Sequence, residues 1–321
     1  MKLGVFTTLL SNLELEEALK YFTSLGIEAV EIGTAGYPGS AHADPKVLLS
    51  DDSKLQEFKA LIEKYNVQIS ALSCHGNPVH PNKDVAREFD KGIRDTILLA
   101  KKLGLNQINT FSGCPGDCDT AKYPNWVTCP WPNDFSEILD YQWNDVLIPY
   151  WKDLVKFAKA HGVDKIALEL HPGFSVYNTE SLLKLREAVG PEIGANLDLS
   201  HLIWQGMEPI PVIRALGDAI FHFHAKDTKI DKYNTAINGV LDVKSYADEI
   251  NRSWIFRSVG YGNDALYWKD VISNLRLVGY DYVVSIEHED SLMSQNEGLT
   301  KAVKLLKECL ITEDTADMWW I

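Results

Sequence analysis

The stretch "YWKDLVKFAKAHGVDKIALELHP" (150–172) contains, in one run, the two patterns that decide the fold. Its first part spaces apolar residues at helical intervals and ends at Gly162, as helices often do. Its second part, from Lys165, is a short β-rich run that stops in polar residues. A helix followed closely by a strand is the repeating element of parallel βαβ proteins.

The same alternation recurs along the whole chain. Eight such units predict a closed (β/α)8 TIM barrel that forms one domain over residues 1–321. An open doubly wound sheet is disfavoured, because "FTTLLSNLE" after the first strand contains no glycine for a phosphate-binding turn. The predicted strands are 2–8, 29–34, 68–75, 107–113, 165–172, 193–201, 219–227 and 282–290, and the clearest helical patterns are 15–26, 54–66, 92–104 and 150–162.

Two connections from a strand to the next helix are long, at about 113–145 and 228–266. In a barrel, such loops lie on the face where active sites are built. The first connection is rich in aromatic residues, whose flat faces can pack on the C–H surface or the ring of a ligand, and it makes Trp126 a candidate substrate contact. The alternative is a cap that packs on itself.

Composition limits the classes of function. The chain has 321 residues, 45% of them hydrophobic, and a formal net charge of -14. This predicts a globular protein that binds neither nucleic acid nor an anionic membrane surface. The odd count of five cysteines and a first segment unlike a signal peptide predict a reduced, cytoplasmic protein.

Ionisable residues gather at the ends of the last four predicted strands. Alternate residues of a strand share a face, so polar side chains there should point to the barrel axis. The rule places Glu169, Asp198, His224 and Glu287 around one point. Three carboxylates at close quarters repel and need protons or a cation. Together with one histidine they suit Mn²⁺ above all, or Mg²⁺ or Co²⁺, and they call for no organic cofactor. Salt bridges at the barrel mouth are the alternative.

The motifs "LELHPG" (168–173), "NLDLSHL" (196–202), "HFHAKD" (222–227) and "SIEHED" (285–290) resemble those of the xylose-isomerase-like TIM barrels. This is the sugar isomerase/epimerase superfamily, which includes ketose 3-epimerases and the endonuclease IV branch. The resemblance implies that the four residues bind one divalent metal. It further implies that Glu169 and Glu287 transfer the proton α to a sugar carbonyl, through a metal-stabilised enediolate, and that His201 contacts substrate oxygens.

Further substrate contacts are predicted, each with a structural alternative. His75 ends the third predicted strand and His171 points inward near the end of the fifth, and either can instead be a hydrogen-bonded structural histidine. The resembling ketose epimerases often carry an arginine shortly after the metal-binding histidine. This sequence has Lys226 there instead, and the alternative role of Lys226 is a salt bridge with Asp198 or Asp227. Arg257 is predicted to replace the missing arginine.

Other functions compete with isomerisation. C-glycoside deglycosidases resemble this barrel, eliminate an aglycone from a 3-keto-glycoside, and work with a small second subunit. An endonuclease IV-like DNA repair enzyme is disfavoured, because "INTFSG" (108–113) lacks a histidine and no D-x-H pair follows the seventh strand. The predicted partner is a small sugar or keto-sugar, with a second copy of the chain or a small second subunit as the protein partner.

Overall fold

The structure is a computed structural model that describes residues 1–314, 318, 320 and 321. Eight parallel strands close into a barrel, so the predicted (β/α)8 fold is confirmed. The strands are β1 (Lys2–Phe6), β2 (Ala29–Gly33), β3 (Gln68–Ser73), β4 (Gln107–Thr110), β5 (Lys165–Glu169), β6 (Ile193–Asp198), β7 (Ile220–Ala225), β8 (Asp227–Ile230), β9 (Trp254–Arg257) and β10 (Val283–Ile286). Around the barrel the strands follow the order β1-β10-β7-β6-β5-β4-β3-β2, and β8 and β9 form a separate antiparallel pair.

Helices surround the barrel and bury their apolar sides against it. Phe22, Trp151 and Trp268, from three of these helices, are fully buried in this layer. Burying one such side chain stabilises the fold by roughly 1.5–3 kcal/mol. The helices are α1 (Leu15–Ser24), α2 (Pro45–Ser50), α3 (Asp52–Lys64), α4 (Lys83–Leu103), α5 (Asn133–Tyr141), α6 (Ile148–Ala160), α7 (Thr179–Val189), α8 (Leu199–Ile203), α9 (Pro209–Leu216), α10 (Lys232–Asn238), α11 (Ala265–Leu277) and α12 (Gln295–Cys309).

Short 3-10 helices lie at Thr7–Leu10, Gly217–Ala219 and Glu249–Asn251, and a π-helix spans Gln142–Leu147. Among residues 1–314, 318, 320 and 321, no helix combines the length and apolar character that a membrane span requires.

Strand register brings the predicted site residues to one level. The four neighbouring strands β5, β6, β7 and β10 are joined by parallel ladders in which Asp198 pairs with His224 and Ser285 pairs with the same histidine. Glu169 pairs with Asn196, two residues before Asp198. The carboxyl ends of these strands therefore meet at one face of the barrel.

The strands end earlier than the sequence predicts. Strand β6 stops at Asp198 rather than at residue 201, because α8 begins directly after it. The Asp198 side chain caps this helix, and its Oδ1 accepts from the backbone N–H of Ser200 at 2.8 Å. Ser200 therefore lies in a helix and not on the inner face of a strand. Asp198 is both the last residue of β6 and the N-cap of α8, and the hydrophobic pattern of the sequence does not mark such a junction.

The two long connections are more ordered than loops. The first contains α5 and the π-helix, and the second contains the β8–β9 hairpin with α10 between its strands. Asp227, the first residue of β8, holds the segment that follows β9, since its Oδ2 accepts from the backbone N–H groups of Gly260, Gly262 and Asn263 at 2.9–3.1 Å. The hairpin also has its own small core, formed by Trp204, Trp254 and Phe256.

Candidate metal centre and active site

Four side chains from four neighbouring strands converge at the carboxyl end of the barrel. We call Glu169, Asp198, His224 and Glu287 the carboxylate cluster; each offers a ligand atom within 4.8 Å of the others. Nδ1 of His224 lies 3.0 Å from Glu287 Oε2, 3.8 Å from Glu169 Oε2 and 3.9 Å from Asp198 Oδ2. The convergence that strand alternation predicts is therefore present.

Two buried atoms of this cluster, Oδ2 of Asp198 and Nδ1 of His224, make no aligned hydrogen bond to any described residue. Each nevertheless lies beside a charged group, with Oδ2 3.1 Å from Lys226 Nζ and Nδ1 3.0 Å from Glu287 Oε2. Carboxylate oxygens and one imidazole nitrogen are suitable ligands for a hard divalent cation. The residues present thus fit a divalent metal ion.

Two predicted substrate contacts, His75 and His201, border Glu169. Nε2 of His75 lies 2.9 Å from Glu169 Oε2, and Nε2 of His201 lies 3.1 Å from Glu169 Oε1 and 3.5 Å from Asp198 Oδ2. Burial alone would raise the pKa of Glu169, but hydrogen bonds from His201 and His75 hold that pKa well below its usual range. Glu169 is therefore an ionised carboxylate.

Lys226 enters the same cluster, although its side chain is 2% exposed. Its Nζ lies 3.0 Å from Glu287 Oε2, 2.9 Å from Glu289 Oε2 and 3.1 Å from Asp198 Oδ2. Burial opposes its charge, but Asp198 and Glu287 raise the pKa of Lys226 well above its usual value. Lys226 thus stays protonated. Its salt bridge is with Asp198 and not with Asp227, which accepts hydrogen bonds from the segment after β9.

Glu287 is ionised as well. Burial would raise its pKa, but the charges of Lys226 and His224 lower the pKa of Glu287 below the usual value. Both glutamates of the predicted proton-transfer pair are therefore in the form that accepts a proton.

A buried glutamate that the sequence analysis did not single out lies directly below the cluster. Glu31, on β2, accepts at Oε2 from Ser285 Oγ at 2.9 Å and lies 2.8 Å from His224 Nε2. Its Oε1 accepts from Ser73 Oγ at 2.5 Å and from Asn109 Nδ2 at 2.9 Å. Burial would raise the pKa of Glu31, but His224 holds it well below the usual range. The signal was available, because a lone carboxylate inside "AVEIG" breaks an otherwise apolar buried strand.

His222 completes a second acid–histidine group with Glu31 and His224. Nδ1 of His222 lies 2.9 Å from Asn196 Oδ1, and its Nε2 lies 3.1 Å from Ser70 Oγ. Burial lowers the pKa of His222 to about 4, so the ring is neutral near pH 7. We call Glu31, His222 and their hydrogen-bond partners the buried network.

A cavity of about 450 Å³ opens beside the cluster. His171 lines it, and the ring of this histidine lies 4.0 Å from that of His201. Burial and His201 lower the pKa of His171 to about 3, so this side chain is neutral too. The other lining residues are Tyr246, Ile255, Phe256, Glu289 and Ser291, most of them from the second long connection.

Two predicted contacts lie elsewhere. Arg257 donates from Nε to Asp290 Oδ2 at 3.1 Å, and Trp126 packs edge to face on Tyr177 with ring centroids 5.4 Å apart. Within the described part of the chain, neither side chain touches the carboxylate cluster. Arg257 is engaged because Asp290 follows the same strand end that supplies Glu287.

Known proteins of similar sequence include the uncharacterized protein YfiH of Bacillus subtilis (strain 168). It is 43% identical over 316 residues, which cover 97% of this chain and 99% of the relative. Inosose dehydratase of Geobacillus thermodenitrificans is 26% identical over 167 residues, which cover 51% of this chain and 54% of the relative.

Solved structures share the fold. The IolI protein with a bound zinc atom superimposes with a TM-score of 0.67 at 21% identity, covering 97% of this chain and 98% of that one. A D-tagatose 3-epimerase-like protein superimposes with a TM-score of 0.63 at 23% identity, covering 96% and 98%. The family model described as "Xylose isomerase-like TIM barrel" matches residues 19–309. The resemblance expected from the four motifs is confirmed, and the chain belongs to the xylose isomerase-like TIM barrel family.

Proposed function

We propose that the protein is a divalent-metal-dependent sugar isomerase or epimerase that removes the proton α to a sugar carbonyl. The observation that supports this most is a pair of ionised glutamates, Glu169 and Glu287, at the two ends of an arc of four ligands. Between them lie Asp198 and His224, on the two strands that separate β5 from β10. This arrangement lets one sugar carbon face two carboxylates.

Glu169, Asp198, His224 and Glu287 would hold the metal, for which we propose Mn²⁺, with Mg²⁺ or Co²⁺ as substitutes. When bound, the ion would polarise the sugar carbonyl and make the neighbouring C–H more acidic. The protein must then supply a base close to that carbon and a second group that returns the proton.

Glu169 and Glu287 are proposed for these two tasks. One carboxylate takes the proton from the carbon next to the carbonyl, and the other first takes up a proton from solvent water and then delivers it to the substrate. Return to the opposite face of the same carbon gives an epimer, and return to the adjacent carbon gives an isomer. His75 and His201 keep Glu169 ionised and in place through ring nitrogens that lie 2.9 and 3.1 Å from its carboxylate oxygens.

The remaining polar groups are proposed as substrate contacts. His201 and Lys226 have N–H groups next to the cluster, and Lys226 would donate to a developing oxyanion while keeping its own proton. His75 and His171 would contact sugar hydroxyls. Arg257 and Trp126 are paired with Asp290 and Tyr177 and are not proposed as substrate contacts.

Elimination is the second candidate. It begins with the same proton abstraction and differs only in that a group β to the carbonyl leaves. The cavity of about 450 Å³ beside the cluster has space for a leaving group, which favours this alternative. Partial similarity to inosose dehydratases fits it as well. A deglycosidase-type lyase with a small second subunit is the form that we predict for such an activity.

Other proposals follow from the same chemistry. The substrate is proposed to be a small sugar or keto-sugar, and a DNA repair activity is not proposed, since a chain of net charge -14 repels phosphate backbones. One domain over residues 1–321, a cytoplasmic location and a second subunit or second copy stay predictions.

The test is deuterium exchange followed by mass spectrometry. Free ketoses, ketose phosphates and 3-keto-glucosides are incubated in D₂O with enzyme and Mn²⁺. We expect one deuterium in the product and a loss of about 10³-fold in rate for Glu169→Gln and for Glu287→Gln, because general acid–base catalysis contributes about 10²–10⁴-fold. Glu57→Gln is the matched control, since this exposed glutamate on α3 pairs with Lys54 and is not part of the cluster.

The products separate the candidates. Deuterium in a ketose establishes isomerisation or epimerisation, and release of an aglycone or water establishes elimination. Full activity in both cluster variants, or no exchange in any substrate despite bound Mn²⁺, would contradict the proposal.

A further inference from the structure

The environment of His224 raises a specific question, since only one of its two ring nitrogens can serve a metal. An imidazole nitrogen binds a cation through a lone pair, so the proton of a neutral ring must reside on the other nitrogen. Here Nδ1 faces the carboxylate cluster and Nε2 faces the opposite way, into the barrel. Whatever lies at Nε2 therefore decides whether Nδ1 is available.

At Nε2 the structure places a carboxylate. Oε2 of Glu31 lies 2.8 Å from Nε2, and an ionised carboxylate can only accept a hydrogen bond. The glutamate cannot turn away, because Ser285, Ser73 and Asn109 donate to it at 2.5–2.9 Å. Glu31 itself is fully buried, and the two residues are separated by 193 positions in the chain.

We propose that Glu31 is a positioning residue: it accepts the Nε2–H of His224 and thereby holds the ring so that Nδ1 faces the carboxylate cluster. This inference rests on the proposed function, because it concerns the metal-binding competence of that cluster. Partners of this kind, which contact a ligand and not the metal, fix the ring orientation and typically change metal affinity by about 10–100-fold.

The surrounding hydrogen bonds agree with this assignment after one change. Nδ2 of Asn196 lies 3.1 Å from Nε2 of His224, and Oδ1 lies 2.9 Å from Nδ1 of His222. A nitrogen that donates to Glu31 needs no second donor, so a half-turn of this amide, which exchanges its oxygen and nitrogen, satisfies both rings. His222 then accepts at Nδ1 and donates from Nε2 to Ser70 Oγ, 3.1 Å away.

Removing the acceptor gives a defined alternative. In Glu31→Met, the Asn196 amide is the remaining polar group at Nε2, and in its other orientation it donates to that nitrogen. The ring proton then moves to Nδ1, which no longer offers a lone pair to a metal. The substitution should therefore weaken metal binding without touching any of the four ligands.

The experiment measures the protonated nitrogen and the metal affinity separately. Nitrogen-15 NMR of the metal-free protein, with the His224 signals assigned by their absence in His224→Gln, reports whether Nε2 bears a proton. Titration with Mn²⁺, followed by electron paramagnetic resonance, gives the dissociation constant. The matched control is Ser73→Ala, which removes one hydrogen bond from the same carboxylate but leaves Oε2 in place.

We expect protonated Nε2 in the unmodified protein and in Ser73→Ala, and unprotonated Nε2 in Glu31→Met. The Mn²⁺ dissociation constant should rise about 10- to 100-fold in Glu31→Met and stay within about threefold in Ser73→Ala. Unprotonated Nε2 in the unmodified protein would overturn the proposal, and so would an unchanged dissociation constant in Glu31→Met.

Two further outcomes are decided in advance. If Glu31→Met does not fold, Glu31→Gln replaces it, and the weaker amide acceptor should still raise the dissociation constant at least threefold; no change overturns the proposal. If the unmodified protein binds no divalent metal at all, the proposed function fails, while the NMR result still decides what Glu31 does to His224.

Discussion

The barrel interior contains two acid–histidine groups, and His224 belongs to both. Above it lies the carboxylate cluster with Glu169, Asp198 and Glu287, and below it lies the buried network with Glu31 and His222. Each group brings carboxylate oxygens and ring nitrogens within 4.8 Å of one another. By proximity alone, both look like metal sites.

Hydrogen bonding separates the two groups. Both oxygens of Glu31 and both ring nitrogens of His222 have partners within 3.1 Å. In the cluster, Oδ2 of Asp198 and Nδ1 of His224 have no aligned partner among the described residues. Residue types and spacing are therefore insufficient to identify a metal centre. Buried ligand atoms that face charged neighbours without an aligned hydrogen bond are the more specific sign.

The largest effect should come from changing Asp198, whose Oδ2 faces the cluster without an aligned hydrogen bond. Asp198→Asn keeps an oxygen to cap α8 through Ser200, yet it removes the charge that faces the cluster. We expect the Mn²⁺ dissociation constant to rise at least about 10³-fold, because a direct ligand should matter more than the 10–100-fold typical of its supporting partners. Electron paramagnetic resonance of free Mn²⁺ measures it.

The control for this prediction is Asp227→Asn, which alters a buried carboxylate whose oxygens are already occupied by the hairpin. Its Mn²⁺ affinity should stay within about threefold, even though the fold loses stability. If Mn²⁺ affinity fell equally in both variants, a carboxylate oxygen without an aligned hydrogen bond would be no better a sign of a metal site than one that already accepts hydrogen bonds.

A second prediction concerns the cation inside the cluster. Lys226→Met leaves Asp198, Glu287 and Glu289 without their shared partner, so the free energy of unfolding of the metal-free protein should fall by about 3 kcal/mol. Saturating Mn²⁺ should restore more stability in this variant than in the unmodified protein, because the ion would replace the missing positive charge. Urea denaturation with and without Mn²⁺ measures both quantities.

Lys229→Met serves as the comparison, since this exposed lysine on the same hairpin donates only to the carbonyl of Gly262. It should change the free energy of unfolding by less than about 0.5 kcal/mol. If Mn²⁺ stabilised Lys226→Met less than the unmodified protein, the carboxylates would not be acting as the ion's ligands.

The smallest effect should come from the buried network. Ser285→Ala removes one hydrogen bond to the Glu31 carboxylate and should lower the free energy of unfolding by about 2 kcal/mol, as is usual for a bond to a charged group. Mn²⁺ affinity should stay within about threefold, because His224 keeps its acceptor. If the free energy of Mn²⁺ binding fell by more than the free energy of unfolding, the buried network and the carboxylate cluster would not act independently.

Much of the site could be predicted from the sequence, and particular residues show where prediction stopped. Glu169, Asp198, His224 and Glu287 converge as strand alternation predicts, and His75, His201 and Lys226 border them. Arg257 was predicted as a substrate contact, and in the structure its Nε donates to Asp290. The sequence does not show that β9 pairs with β8, so it could not show in which direction the Arg257 side chain points.

The sequence analysis named Trp126 as a candidate substrate contact but did not name Glu31. Trp126 lies in a connection whose path depends on α5 and the π-helix, and its ring packs on Tyr177. Glu31 was visible as a carboxylate within a buried strand, and the rule applied to the last four strands would have found it if applied to β2.

The sequence by itself determined the barrel and the carboxylate cluster, because both depend on local periodicity. Strand side chains alternate with period two, and parallel strands bring their carboxyl ends to one face, so four motifs were enough. Only the tertiary structure decided which nitrogen of His224 faces the cluster, which carboxylates Lys226 joins and what Glu31 supports. Those contacts depend on closure of the barrel, which brings β2 within hydrogen-bonding distance of β7 across the interior, and no local pattern encodes a contact between residues 193 positions apart.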